Sequence, residues 1–156
     1  MTRLIAFFNQ KGGTAKTTST LNVAAALAER GGRVLMVDLD PQASLTMATG
    51  TDVAALPLSV YDLLLDERVG IADVAVPTSI AGVAIAPSHP DLAAAELELL
   101  NVLERERQLD HRLRAANLSR YDYVLVDSPP ALNIISINIL VAIRELVIPI
   151  EPHPLS

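Results

Sequence analysis

Five short apolar runs punctuate the chain: Leu4–Phe8, Val34–Val37, Val83–Ala86, Val124–Val126 and Leu146–Ile150. None alternates with polar residues, as a strand with one wet face would. Unbroken apolar runs bounded by turn signals predict strands buried on both faces. Helical patterns separate most of them. Thr17–Arg30 places Leu21, Ala24, Ala25 and Ala28 on one face and stops at Gly31-Gly32. Val60–Leu65 predicts a short helix, and Asp91–Leu103 opens on a capping residue. A charged stretch, Glu104–Asn117, follows. Asn133–Ile143 is apolar nearly all round, which predicts burial in the core or in a subunit contact. Asp66–Ile80 is equally readable as strand or loop. Strand–helix alternation with buried strands predicts an α/β fold, a doubly wound, mostly parallel sheet flanked by helices.

Length and composition keep this picture and narrow it. The 156 residues make one domain, and 51% apolar against 19% charged residues makes it a packed one. No repeat, low-complexity tract or linker divides residues 1–156. The net charge of −6 is the wrong sign for a domain that grips nucleic acid by itself. The absence of cysteine excludes disulfides, cysteine-ligated clusters and thiol nucleophiles, and suits the cytosol. The apolar N-terminal run is too short for a signal peptide or a membrane span, so a soluble protein is expected. No helix follows the last run to cover it. The expectation is therefore an N-terminal part of a longer protein, with a covering partner as the alternative.

The chemistry concentrates between the first strand and the first helix, at Asn9-Gln10-Lys11-Gly12-Gly13-Thr14-Ala15-Lys16-Thr17-Thr18. Glycines let backbone N–H groups turn toward an anion. A helix N-terminus adds unpaired donors and partial positive charge. Lys16 is placed to reach β- and γ-phosphates, and the Thr17 hydroxyl to ligate Mg²⁺. The bland alternative is a Gly-containing turn with a solvated lysine. The coincidence of lysine, two threonines, a preceding strand and a following helix favours phosphate.

Two further strands end in acids. Val34–Val37 runs into Asp38-Leu39-Asp40-Pro41-Gln42, and Val124–Val126 into Asp127-Ser128-Pro129-Pro130. Ligands of open α/β sheets sit at the carboxyl ends of strands, so these carboxylates point toward the same place as the loop. Asp127 after an apolar strand reads as an acid holding Mg²⁺ through water. Either acidic segment alone is also consistent with solvated loop residues.

The phosphate loop departs from the usual G-x-x-x-x-G-K-[ST], with Gln10 and Ala15 at the two glycine positions. It resembles the deviant Walker A motif, K-G-G-x-x-K-[ST]-[ST], of the ParA/MinD superfamily of P-loop ATPases. Asp-x-Asp-Pro-Gln at Asp38–Gln42 resembles the switch I segment of the ParA/Soj type, and Asp127–Leu132 its switch II. Tyr121-Asp122-Tyr123, Pro87-Ser88 and Ile148-Pro149-Ile150 fit as well, so the resemblance runs from Arg3 to about Pro154. It implies that Lys11, Gly12, Gly13, Thr14, Ala15, Lys16, Thr17 and Thr18 bind ATP. Thr17, Asp38 and Asp127 would surround Mg²⁺. Lys11 would reach across an ATP-dependent homodimer to the partner's phosphates, and Asp40 would orient or activate the attacking water. Asp122 would be structural or exposed. Ala15 stands where glycine is commonest; if that position needs positive φ, alanine costs roughly 1–2 kcal/mol.

The function so implied is a cytoplasmic, nucleoid-associated partition ATPase. Its ATP-bound dimer would bind DNA non-specifically and segregate chromosome or plasmid DNA, with hydrolysis stimulated by a ParB-like partner. The DNA-binding surface would lie beyond this chain. Two alternatives stay open: a MinD-like ATPase that anchors to membranes through a C-terminal amphipathic helix, and a nucleotide-dependent scaffold with little turnover. No membrane anchor is seen, and Asp40-Pro41-Gln42 favours the ParA type. His89, His111 and His153 lack metal-ligand spacing and read as surface residues. Glu104–Arg114 carries both signs at helical spacing, which predicts a solvated face with pairs such as Asp110–Arg114 and argues against a DNA patch at Arg105, Arg107 and Arg112.

Overall fold

All five apolar runs form strands in the computed structural model, which describes residues 2–151. They are β1 (Arg3–Phe7), β2 (Val34–Asp38), β4 (Val83–Ala86), β5 (Tyr123–Asp127) and β6 (Glu145–Val147). A two-residue β3 (Val76–Pro77) completes a six-stranded sheet of order β3-β4-β2-β5-β1-β6. Every pairing is parallel except β3 with β4.

Among the described residues seven α-helices connect the strands: α1 (Lys16–Glu29), α2 (Ser44–Ala48), α3 (Val60–Leu65), α4 (Ile71–Val74), α5 (Leu92–Glu98), α6 (Gln108–Ala115) and α7 (Ile134–Ala142). The central strands alternate between two cores because successive side chains point to opposite faces. Ala6, Leu35, Val37, Val124 and Val126 join the helices α3 to α7 on one face. Phe7, Val34, Met36, Ile85 and Leu125 join Ala24 of α1 and Leu45 of α2 on the other. Burial on both faces explains why β2, β4 and β5 show no polar alternation; β6 departs from that expectation, since it is an edge strand and Glu145, Leu146 and Val147 are all exposed. β5 lies between β1 and β2, and β1 lies between β5 and β6. The connections leaving β1 and β5 therefore run in opposite directions, and such a point opens a crevice at the carboxyl ends of the strands. The phosphate-type loop, Asp38 and Asp127 all sit at those ends.

Several boundaries differ from expectation for identifiable reasons. α1 closes as foreseen: Gly31, at φ 86°, donates to Ala28 O, while Gly32 N–H reaches Leu27 O. The last strand stops at Val147 rather than Ile150, since Pro149 has no N–H to continue the ladder. Asp91–Leu103 is helical only to Glu98, followed by a tighter turn at Leu99–Asn101. The ambiguous Asp66–Ile80 contains α4 and β3, elements too short for a periodic signal. α2 was not legible either. α7 is not buried all round: Ile135 and Ile139 are in the core, whereas Ile137, Leu140 and Val141 are each about 40% exposed. The charged stretch is less solvated than its composition suggests, because Gln108 and Asp110 of α6 are buried. The anticipated Asp110–Arg114 pair forms, at 2.7 Å. Pro152–Ser156, including His153, lie outside the described residues.

Candidate nucleotide site

The loop between β1 and α1 forms one wall of a cavity of about 480 Å³, lined by Gly12 to Thr18 together with Asp40, Ser44 and Pro130. Two backbone conformations shape the loop. Gly13 has φ 77°, and a side chain there would be strained whatever the space. Ala15 has φ 60° and ψ 28°, so the position does require the left-handed region and alanine carries the strain. The loop closes on Lys11: its carbonyl accepts from Thr14 Oγ1 at 3.2 Å and from Lys16 Nζ at 3.3 Å. Lys16 is only 7% exposed, so its ammonium is held in the loop rather than trailing in solvent. A solvated lysine beside a plain turn is thereby excluded.

The two acidic strand ends converge on α1 and α2. Asp38 and Asp127 are directly paired across the β2–β5 ladder, and both are fully buried. Thr17 Oγ1 donates to Asp127 Oδ2 at 2.6 Å, and the buried Thr20 hydroxyl lies 3.5 Å from Oδ1. Asp38 Oδ2 accepts from both the N–H and the hydroxyl of Thr46, at 2.9 and 2.7 Å, and Oδ1 accepts from Asp40 N–H. Asp40 is half-buried and lines the cavity. Its carbonyl accepts from Ser88 Oγ at 2.7 Å, and its Oδ1 from Gln42 N–H at 3.0 Å.

Burial pushes the Asp38 carboxyl up to about 6, against the hydrogen bonds from Thr46 and Asp40. Burial pushes Asp127 further, to about 7; the Thr17 hydroxyl opposes this, the negative charges of Asp38 and Asp40 add to it, and Lys16 offsets only part. The site thus holds more buried negative charge than its lysine neutralises. A hard cation beside Thr17 and Asp127 would supply the missing charge, and hydroxyl and carboxylate oxygens are the donors that Mg²⁺ takes. Among the described residues no cluster of three His, Cys, Asp or Glu side chains could hold a metal on its own.

Gly12, Gly13, Thr14, Ala15, Lys16, Thr17 and Thr18 are therefore brought together with Asp40 around one cavity, with Asp127 and Asp38 near its buried side; Lys11 does not line it. The Lys11 side chain points away, to within 3.8 Å of Glu151. Sequence reasoning missed Thr46, whose hydroxyl also accepts from Ser88 N–H, and Ser44 of the wall, whereas Pro130 of the wall falls inside the Asp127–Leu132 segment already singled out. A Ser-Leu-Thr run shortly after an acidic strand end carried the only signal for Thr46 and Ser44. The discounted residues among those described have partners within the chain. His89 pairs with Asp91, and His111 with Glu104. Arg105 and Arg112 donate to the backbone at Leu100 and at Leu63 and Glu67, and Arg107 pairs with Asp110.

A loop that turns its glycines and helix start toward an anion, opposite a threonine–aspartate pair suited to a cation, places this chain among the P-loop nucleotide-binding domains. Known families sharpen the assignment: the chain belongs to the AAA domain family, which matches residues 2–156. It is 40% identical over 151 residues to the sporulation initiation inhibitor protein Soj of Bacillus subtilis, covering 97% of this chain and 59% of Soj. It is 38% identical over 149 residues to the chromosome partitioning protein ParA of Myxococcus xanthus, covering 96% and 52%. A solved structure of cobyrinic acid a,c-diamide synthase from Mycobacterium smegmatis, with a bound ATP analog and magnesium, superposes with a TM-score of 0.90 at 41% identity, covering 96% of this chain and 60% of that one. The chain spans about half the length of the curated relatives it matches. Among the described residues no helix is long and apolar enough to cross a membrane.

Proposed function

We propose that this chain binds ATP with Mg²⁺ and hydrolyses it as the nucleotide domain of a ParA/Soj-type partition ATPase. The observation that carries the reading is the 2.6 Å contact of the Thr17 hydroxyl with Asp127, at the mouth of the loop that holds Lys16. Two remote segments meet there only because α1 starts where β5 ends.

Thr17 and Asp127 would hold Mg²⁺, Asp127 through water, with Asp38 fixing the strand end beside it; the ion would neutralise charge on the β- and γ-phosphates. The loop N–H groups orient the triphosphate, and Lys16 leaves Lys11 O for the phosphates. Asp40, held by Ser88 and its own turn, orients the water for in-line attack on the γ-phosphorus. The bond to the β–γ bridging oxygen breaks, and ADP and phosphate leave. Lys11 completes the site of a second copy, as an added cation stabilises a transferring phosphoryl group. In the whole protein this dimer binds DNA non-specifically and answers to a ParB-like activator in the cytoplasm, at the nucleoid. The arginines of α6 and of the turn before it are each engaged within the chain, which disfavours them as the DNA surface.

Steady-state phosphate release tests the reading. Thr17→Ala and Asp40→Ala should each lower ATP turnover at least tenfold, with Thr17→Ala also weakening the dependence on Mg²⁺. Unchanged turnover in both variants contradicts it. A scaffold with little turnover predicts ATP-dependent dimers with background hydrolysis that Asp40→Ala leaves alone.

A further inference from the structure

Lys11 is the residue that separates this loop from the usual phosphate loop, and the segment after β6 is what holds it. Phe8, the residue after β1, donates its N–H to Val147 O at 2.9 Å, so the strand pairing continues to the loop's edge. The Asn9 side chain then joins both segments. Its Nδ2 donates to Pro149 O at 2.8 Å, and its Oδ1 accepts from Lys11 N–H at 2.9 Å. Glu151 Oε2 lies 3.8 Å from Lys11 Nζ, with both side chains more than half exposed. Lys11 is thus tied at its N–H to Asn9, at its carbonyl to Thr14 and Lys16, and at its ammonium to Glu151.

From this geometry we infer that the Pro149–Glu151 segment positions Lys11 and that Glu151 is its counter-ion within the same chain, competing with the phosphates of a second copy. The inference rests on the reading of Lys11 given above. Asn9 fixes the lysine's backbone at a set distance from the end of β6, which leaves only the long side chain free to swing. Glu151 then biases that swing inward. An ATP-bound second copy offers several anionic oxygens against a single exposed carboxylate, so Lys11 transfers when the dimer forms. An exposed ion pair is weak and screened by salt, which makes Glu151 a tuning residue rather than a lock. Two copies each release one such pair, so the effect on dimer affinity is that of a single pair squared.

The test is sedimentation velocity of the protein with ATP and Mg²⁺, comparing wild type, Glu151→Gln, Lys11→Ala and the double variant at low and high salt. Glu151→Gln should tighten the ATP-dependent dimer about three- to tenfold at low salt and less at high salt. It should have no effect in the Lys11→Ala background. Equal dimer affinity for wild type and Glu151→Gln, while Lys11→Ala still abolishes the dimer, overturns the Glu151 assignment and leaves the reading of Lys11 standing. A tightening that persists without Lys11 also overturns it, as a general charge effect. A Lys11→Ala protein that dimerises as wild type overturns both.

Discussion

Replacing Ala15 by glycine should stabilise this protein, contrary to the usual expectation for a glycine introduced at the start of a helix. Ala15 sits at φ 60° and ψ 28°, immediately before α1. A residue with a Cβ in that region costs roughly 1–2 kcal/mol. Glycine removes the cost but returns about 0.4–1 kcal/mol to the unfolded chain as conformational freedom. The Ala15 methyl is exposed, so no core burial is lost. The net expectation is a gain of about 0.5–1 kcal/mol, or about 1–4 °C in Tm for a chain of this size. Ala43 supplies the internal control. It too is left-handed, at φ 51°, but its side chain is 2% exposed. Ala43→Gly forfeits a buried methyl worth about 0.8 kcal/mol, which offsets the relief and leaves stability about unchanged. Urea denaturation at constant m-value is the assay: the midpoint should rise for Ala15→Gly and stay for Ala43→Gly. A fall in the Ala15→Gly midpoint, or equal shifts in the two variants, would refute the reasoning.

Other expectations follow from the buried acids and their partners. Thr46→Val removes the hydroxyl that donates to buried Asp38 and accepts from Ser88 N–H, and should cost about 2–4 kcal/mol in denaturant unfolding, whereas Thr46→Ser should cost about 1 kcal/mol or less. Asp122, foreseen as structural or exposed, receives three donors from Arg33 and is held down at about 2, first by the Arg33 side-chain hydrogen bonds and then by the Arg33 backbone N–H. Its folded value is depressed, so its contribution to stability is present above the ordinary aspartate value of about 3.9 and is lost as pH falls through about 2. Asp122→Asn should therefore flatten the acid limb of a Tm-against-pH curve in that window, and an unaltered limb would remove the pair from the account. Asn138→Leu should destabilise the α6–α7 contact by about 2–3 kcal/mol, because buried Asn138 Oδ1 accepts from Leu109 N–H in the interior and its Nδ2 donates to Arg105 O at the interior's margin; a neutral thermal melt would contradict this.

The fold was legible where burial wrote itself into continuous apolar runs. Val34–Val37 and Val124–Val126 could be placed as strands with both faces dry, and the same runs pointed to Asp38 and Asp127 at their exits; the like reading of Leu146–Ile150 failed because an apolar run does not reveal that its strand lies at the sheet's edge. The phosphate loop was legible because its chemistry is local: glycine, lysine and threonine act within one turn. What escaped notice depends on contacts distant in sequence. Thr46 matters through Asp38 and Ser88, and Asn9 through Pro149, and no local period records either pairing. β3 and α4 are two and four residues long, shorter than the window in which a period shows. The solvated face assigned to Glu104–Arg114 was misjudged in part, since Asp110 is buried against Arg107 and Arg114 and a charge pattern does not reveal which ion pairs are covered.

The central claim is that Lys16, Thr17 and Asp127 form one ATP–Mg²⁺ site. Isothermal titration of ATP into the protein, with Mg²⁺ and with EDTA, tests it most directly. The account predicts saturable one-to-one binding, at least tenfold weaker in EDTA, lost in Lys16→Ala, and made insensitive to Mg²⁺ by Asp127→Asn. Binding by Lys16→Ala equal to that of the wild type, or affinity indifferent to Mg²⁺ in the unaltered protein, would contradict it.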